Sequence, residues 1–239
     1  SAASDVYKRQ VDKVFQQSIG NTFFYLIIQV PIMLILAILL AQLLNNKHLK
    51  LRGLFRTCVF LPCATSLVSY SLIFRSMFAT DGLINSILMK LGILHSGYNF
   101  LGHSGSAKAV IILALIWRWT GYNMVFYLAG LQNIEYSVYE AAKIDGASMF
   151  QRILHIDIPE LVPMIVLQLI MSVGNLMNVG FEKVLLLQTE LNKATSDIIA
   201  VYVYEQGIIN AKYSYSTAVG LFNTVVNIIL LIIAVSYTH

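Results

Sequence analysis

TFFYLIIQVPIMLILAILLAQLL, residues 22–44, contains no charged side chain. As a helix rising about 1.5 Å per residue it reaches roughly 30 Å or slightly more, the thickness of a bilayer's hydrocarbon core. The run therefore reads as a membrane span. Pro31 lies inside it, which a membrane helix tolerates as a kink when neighbours satisfy the freed carbonyl. The rest of the chain has the same character. Of 239 residues, 57% are hydrophobic and 12% charged, against about 25% charged in a soluble globular domain. A mean hydropathy of +0.71 excludes disorder, and two cysteines are too few for a disulfide scaffold.

After the first span comes the connector NNKHLKLRG. Lys47, Lys50, Arg52 and Arg56 fall close together there with no acid among them, which marks a cytoplasmic loop. The net charge of +4 is thus an orientation signal and needs no nucleic acid to explain it. A second span is expected at 54–77, then an outward loop with a short surface helix near Asn85–Leu91. A third span, 107–131, is interrupted by Trp117, Arg118, Trp119, Gly121 and Asn123. A fourth, 161–179, embeds Gln168, Asn175 and Asn178, and a fifth, 217–235, embeds Asn223 and Asn227. The expected fold is an all-α, polytopic membrane bundle of about five spans over 18–235. Alternation puts residues 132–161 inside and 180–216 outside. It also leaves the N-terminus outside with no secretory signal pattern, which a further span upstream would resolve.

Sequence signs of catalysis are missing. No G-x-x-x-x-G-K-[ST], H-E-x-x-H or G-x-S-x-G occurs, nor a carboxylate pair on an apolar helix. His95 and His103 sit too far apart for a metal site without further ligands. Cys58 and Cys63 do not share a helix face and read as small packing residues. No catalytic residue and no metal ligand is expected.

The informative stretch is the inner loop EYSVYEAAKIDGASMFQRILHIDIPELVP, residues 135–163. Ser137 with Glu140, and Ser148 with Gln151, each have capping-box spacing, so two short helices should flank Asp145-Gly146. Gly146 accepts the positive φ that ends the first helix, and Pro159 and Pro163 should end the second helix and start the fourth span. About thirty ordered residues with the small side chains of Ala141, Ala142 and Ala147 form a surface suited to close approach by a partner.

Glu140-Ala141-Ala142, Gly146, Ile156 and Ile158-Pro159 stand at the spacing EAA-x3-G-x9-I-x-L-P, with Ile158 in place of Leu. This resembles the EAA loop of binding-protein-dependent ABC transporter permeases. Glu140 to Ala147 also meets the fuller form EAAxxDGA. Leu128 to Ile134, Asn21-Thr22, Arg56-Thr57 with Phe60-Leu61-Pro62, and Asp81 to Asn85 are similar to carbohydrate-type permeases, and Ala194 to Asn227 to the polysaccharide-type subgroup. The likeness runs from about 18 to 233. Residues 1–17 and 236–239 lie outside it, and the family's usual six spans suggest a fragment lacking its first helix.

The resemblance implies a transport subunit of the bacterial cytoplasmic membrane, not an enzyme. It would bind no cofactor itself. ATP would be used by a partner ATPase dimer docked on a coupling loop, 134–160. Glu140 and Asp145 would face basic or polar groups of that ATPase, with Glu140 also free to cap its own helix. The alanines would pack, Gly146 would hold the turn, and Ile156 and Pro159 complete the motif. A second permease subunit and an extracytoplasmic solute-binding protein delivering an oligosaccharide are the other implied partners. Trp117, Trp119 and Tyr122 offer flat faces to sugar, with Arg118 among them; the same group also suits an interfacial anchor. Asn175, Asn178, Asn223 and Asn227 suit sugar hydroxyls or interhelical bonds. A permease for a non-sugar solute, or an ATPase-independent carrier, is the alternative, although no Asp or Glu lies inside any expected span.

Overall fold

Helix α1, Lys13–Asn45, buries one stripe at helical spacing: Tyr25, Gln29, Met33, Ala37, Ala41 and Leu44. Its opposite face is equally apolar, with Ile27, Ile35, Leu39 and Leu43 exposed, as expected of a helix between protein and lipid. The computed structural model describes residues 13–46, 49–174, 181–189 and 191–236. Every regular element among them is helical. α2 (Arg52–Ala64) and α3 (Leu67–Met77) follow, then the short α4 (Leu83–Lys90) and the long α5 (Ser104–Gln132). α6 (Tyr136–Ile144) and α7 (Met149–Arg152) occupy the inner loop; α7 passes through a π-turn, Ile153–Asp157, into α8 (Ile158–Gly174). The outer segment holds α9 (Phe181–Leu187), α10 (Lys193–Ser196) and α11 (Ile199–Tyr204), before α12 (Tyr213–Ser236) closes the chain.

Among the described residues, three stretches are long and apolar enough to cross a membrane: α1, α5, and Met149–Ser172. A fourth exists if α2 and α3 count as one. That pair departs from the continuous span expected at 54–77, because it bends by 99° where Thr65 takes an extended conformation. Pro62 lies one turn before the bend. The carbonyls freed there are satisfied by Arg118, whose guanidinium donates to the Pro62 and Thr65 oxygens at 3.1 Å each. α5 itself runs unbroken through Trp117–Asn123.

Two clusters of the core flank the α1–α5 contact, and a third, with Phe15, Ile199, Tyr202 and Val219, joins α1 to α11 and α12. Toward the inner loop, Met33, Ala37, Ala41, Met124, Tyr127 and Leu161 pack together. Toward the outer segment, Tyr25, Phe74, Ile111, Leu115, Leu187 and Val201 do so. α5 approaches α2 closely at Gly121, where an added Cβ would overlap the Val59 carbonyl. The outer segment is fastened by buried amides. Asn21 donates to the Asp197 carbonyl at 2.9 Å, the Ile199 N–H donates to Thr22 Oγ1 at 3.1 Å, and Asn192 donates to the Leu101 carbonyl at 2.9 Å.

Candidate functional site

The inner loop is a helix–turn–helix held off the bundle. α6 buries none of its residues, and neither does α7. Ile144 is 86% and Phe150 72% exposed, a considerable cost in water for side chains of this size. Glu140, Ala141 and Asp145 are exposed beside them. The turn between the helices has the expected form. Gly146 lies at φ 76°, its N–H donates to the Lys143 carbonyl at 3.1 Å, and the Ala147 N–H donates to the Ala142 carbonyl at 2.9 Å. These two bonds are the pair that closes a helix with a left-handed residue.

The two expected caps differ in outcome. Ser148 and Gln151 form a complete capping box. Ser137 and Glu140 do not: the N-cap falls two residues earlier, at Glu135, with no side-chain cap. Ser137 is therefore already helical, and its hydroxyl donates to the Glu135 carboxylate at 3.2 Å. Glu140 is left without a capping task. The prolines also behave differently from expectation. Pro159 and Pro163 lie within α8, and the chain stays helical into Pro159 because the preceding π-turn routes the Ile158 N–H to the Ile153 carbonyl. Widening the turn relieves the clash that a proline ring makes with the carbonyl one turn back. Tyr139 reaches from α6 to hydrogen-bond the Asp157 carboxylate; burial, reinforced by that carboxylate, raises its phenol above its ordinary pKa.

A second feature lies inside the bundle, a cavity of about 930 Å³ between α1, α5, α8, α9, α11 and α12. Of the residues expected along a substrate path, Trp119, Tyr122 and Asn223 line it. The Trp119 and Tyr122 rings stand nearly perpendicular, at 86°. Trp117 packs instead on Tyr70 and Phe74, and Arg118 is engaged at the α2–α3 bend with its guanidinium 5.7 Å from the Tyr70 ring. Asn175 and Asn178 lie outside the described residues. The cavity adds groups not anticipated as site residues: Gln29, Asn123, Gln168, Glu182, Tyr204 and Thr224. Gln29 stands alone among apolar neighbours in residues 22–34, and that isolation was the available signal. Three side-chain oxygens of this lining, Gln29 Oε1, Asn123 Oδ1 and Asn223 Oδ1, are buried without a hydrogen-bond partner. These oxygens are covered by protein, so each calls for an ordered water or a small side-chain rotation to be satisfied.

Residues 13–237 match the family described as the binding-protein-dependent transport system inner membrane component. The chain belongs to this family. It is a transport subunit, and the permease has close relatives that handle sugars. It is 41% identical over 225 residues to the lactose transport system permease protein LacF of Rhizobium radiobacter, covering 94% of this chain and 74% of that protein. It is 34% identical over 215 residues to the arabinooligosaccharides transport system permease protein AraP of Bacillus subtilis, covering 89% and 67%. In structure the permease resembles a chain of a bacterial ABC transporter involved in the import of the acidic polysaccharide alginate, with TM-score 0.93 and 29% identity over 98% of this chain and 82% of that one. A second match is to that transporter in complex with an alginate pentasaccharide-bound periplasmic protein, with TM-score 0.91 and 29% identity, covering 96% of this chain and 80% of that one.

Proposed function

We propose that this permease works in a bacterial cytoplasmic membrane beside a second permease subunit. It passes inward a neutral oligosaccharide handed over by an extracytoplasmic solute-binding protein, driven by an ATPase dimer docked on residues 134–160. The cavity lining carries the proposal. Flat aromatic faces at Trp119 and Tyr122, with amide and hydroxyl groups at Gln168, Ser172, Asn223 and Thr224, suit a ligand that presents apolar ring faces and many hydroxyls. The volume, about 930 Å³, is at the large end of small-molecule sites, about 300–1,000 Å³. Among the described lining residues Glu182 is the only charged one, so a uronate chain would meet repulsion and no counter-charge. The sugar relatives support the solute class.

ATP would bind on the partner ATPase. On this chain, Glu140 and Asp145 would meet its polar or basic groups, Ala141, Ala142 and Ala147 would allow close packing, and Ile144 and Phe150 would lose their exposure. Ile156 and Pro159 carry the motif into the fourth span. Alanine at Trp119 or Asn223 should lower oligosaccharide uptake by about tenfold, through loss of a stacking face at Trp119 and of a hydrogen-bonding amide at Asn223, with membrane expression unchanged. Wild-type uptake in both variants would refute the cavity as the path.

A further inference from the structure

The proposed docking leaves open how a push on the inner loop reaches the spans, since α6 has so little attachment. None of its residues is buried, and only Tyr139 and Ala142, one turn apart, are even partly covered. At its N-terminal end the chain enters through the short turn Asn133–Glu135, and at the other end stands the left-handed Gly146. Both connections are short backbone turns. Tyr139 crosses this gap. Its phenol donates to Asp157 Oδ1 across eighteen residues of sequence, and Asp157 is only 4% exposed. Asp157 closes the π-turn, directly before the first turn of α8.

We infer that Tyr139 and Asp157 form the strut through which displacement of α6 moves the fourth span. The inference rests on the ATPase docking proposed above and makes Tyr139 a positioning residue. The exposed face of α6, with Glu140, Ala141 and Ile144, takes the push, and the Tyr139–Asp157 bond delivers it to α8 at a π-turn, where helical geometry is already loosened. Without the bond, α6 pivots about Gly146 and the ATPase cycles without moving the span.

The test compares wild type, Tyr139→Phe and Asp157→Asn in proteoliposomes holding both permease subunits, the ATPase and a sugar-loaded binding protein. Asparagine keeps an acceptor oxygen for the phenol. ATP hydrolysed per sugar imported is measured, together with ATPase retained on purification. Tyr139→Phe should retain the ATPase and hydrolyse ATP while sugar imported per ATP falls about tenfold, a loss in coupling and not in assembly. Asp157→Asn should stay within about twofold of wild type. A wild-type ratio in Tyr139→Phe overturns the strut, as does loss of the ATPase from that variant, which would make the bond a docking or folding element. Failure of wild type itself to retain the ATPase would refute the docking proposal beneath it.

Discussion

At Gly146 two costs that usually come together are separated. No atom lies within 4 Å of where a Cβ would stand, so a side chain meets no clash. The constraint is the φ of 76°, which asparagine adopts readily and a β-branched residue does not. Gly146→Asn should therefore keep the turn and co-purify the ATPase at wild-type yield. Gly146→Val, strained by about 1–2 kcal/mol, should lose most of it; equal yields would show that the turn's geometry is irrelevant to docking. Asp197 poses a different residue-scale question. Burial, with Glu205 nearby and Lys193 only partly offsetting it, raises its carboxyl to about 7. Between the ordinary carboxylate value near about 4 and that figure, the folded protein binds more protons than the unfolded chain. Stability must fall as pH rises through this window. Asp197→Asn removes the titration, so its Tm should fall less than the wild type's between about pH 5 and about pH 8; parallel pH profiles would contradict the burial. Gly146 was legible in sequence because its motif is local. Asp197 was not, because its burial depends on Asn21, far away in the chain.

At the scale of elements, hydropathy located the long helices and missed their breaks. In the apolar run 54–77, Pro62 hints at a kink but not at the 99° bend that divides it. The bend needs Pro62 together with a guanidinium from α5, a pairing between remote segments. The polarity of Trp117–Asn123 was visible in sequence, but its purpose divides by helix face: Arg118 serves the bend while Trp119 and Tyr122 face the cavity. The inner helices failed at one cap for a similar reason, since a capping-box spacing shows where a cap is possible and the N-cap fell two residues earlier. Close approach of α5 to α2 gives a prediction at this scale. Gly121→Ala forces a Cβ against the Val59 carbonyl and should destabilise by about 1–3 kcal/mol, the usual cost of overpacking. Gly105→Ala, on the same helix with open space around it, should be neutral or mildly stabilising. Equal Tm values for the two variants in detergent would contradict the packing of α5 on α2.

Taken whole, the molecule separates two tasks along its length. One end exposes a helix–turn–helix with apolar and acidic side chains and no core of its own; the middle encloses a cavity with a lining of amides, hydroxyls and aromatic rings. The scarcity of charge identified the membrane, and the EAA spacing identified the loop. Trp119, Tyr122 and Asn223 were legible as candidates, but Gln29, Asn123 and Gln168 stayed hidden because they come from three helices and meet only through packing. The central claim joins the two ends: sugar moves through this chain because an ATPase works on its inner loop. It is tested most directly by oligosaccharide uptake into proteoliposomes containing the two permease subunits and the loaded binding protein, with the ATPase subunits present or omitted. The account predicts uptake only with the ATPase and hydrolysable ATP on the inner-loop side. Uptake at the same rate without the ATPase would contradict it.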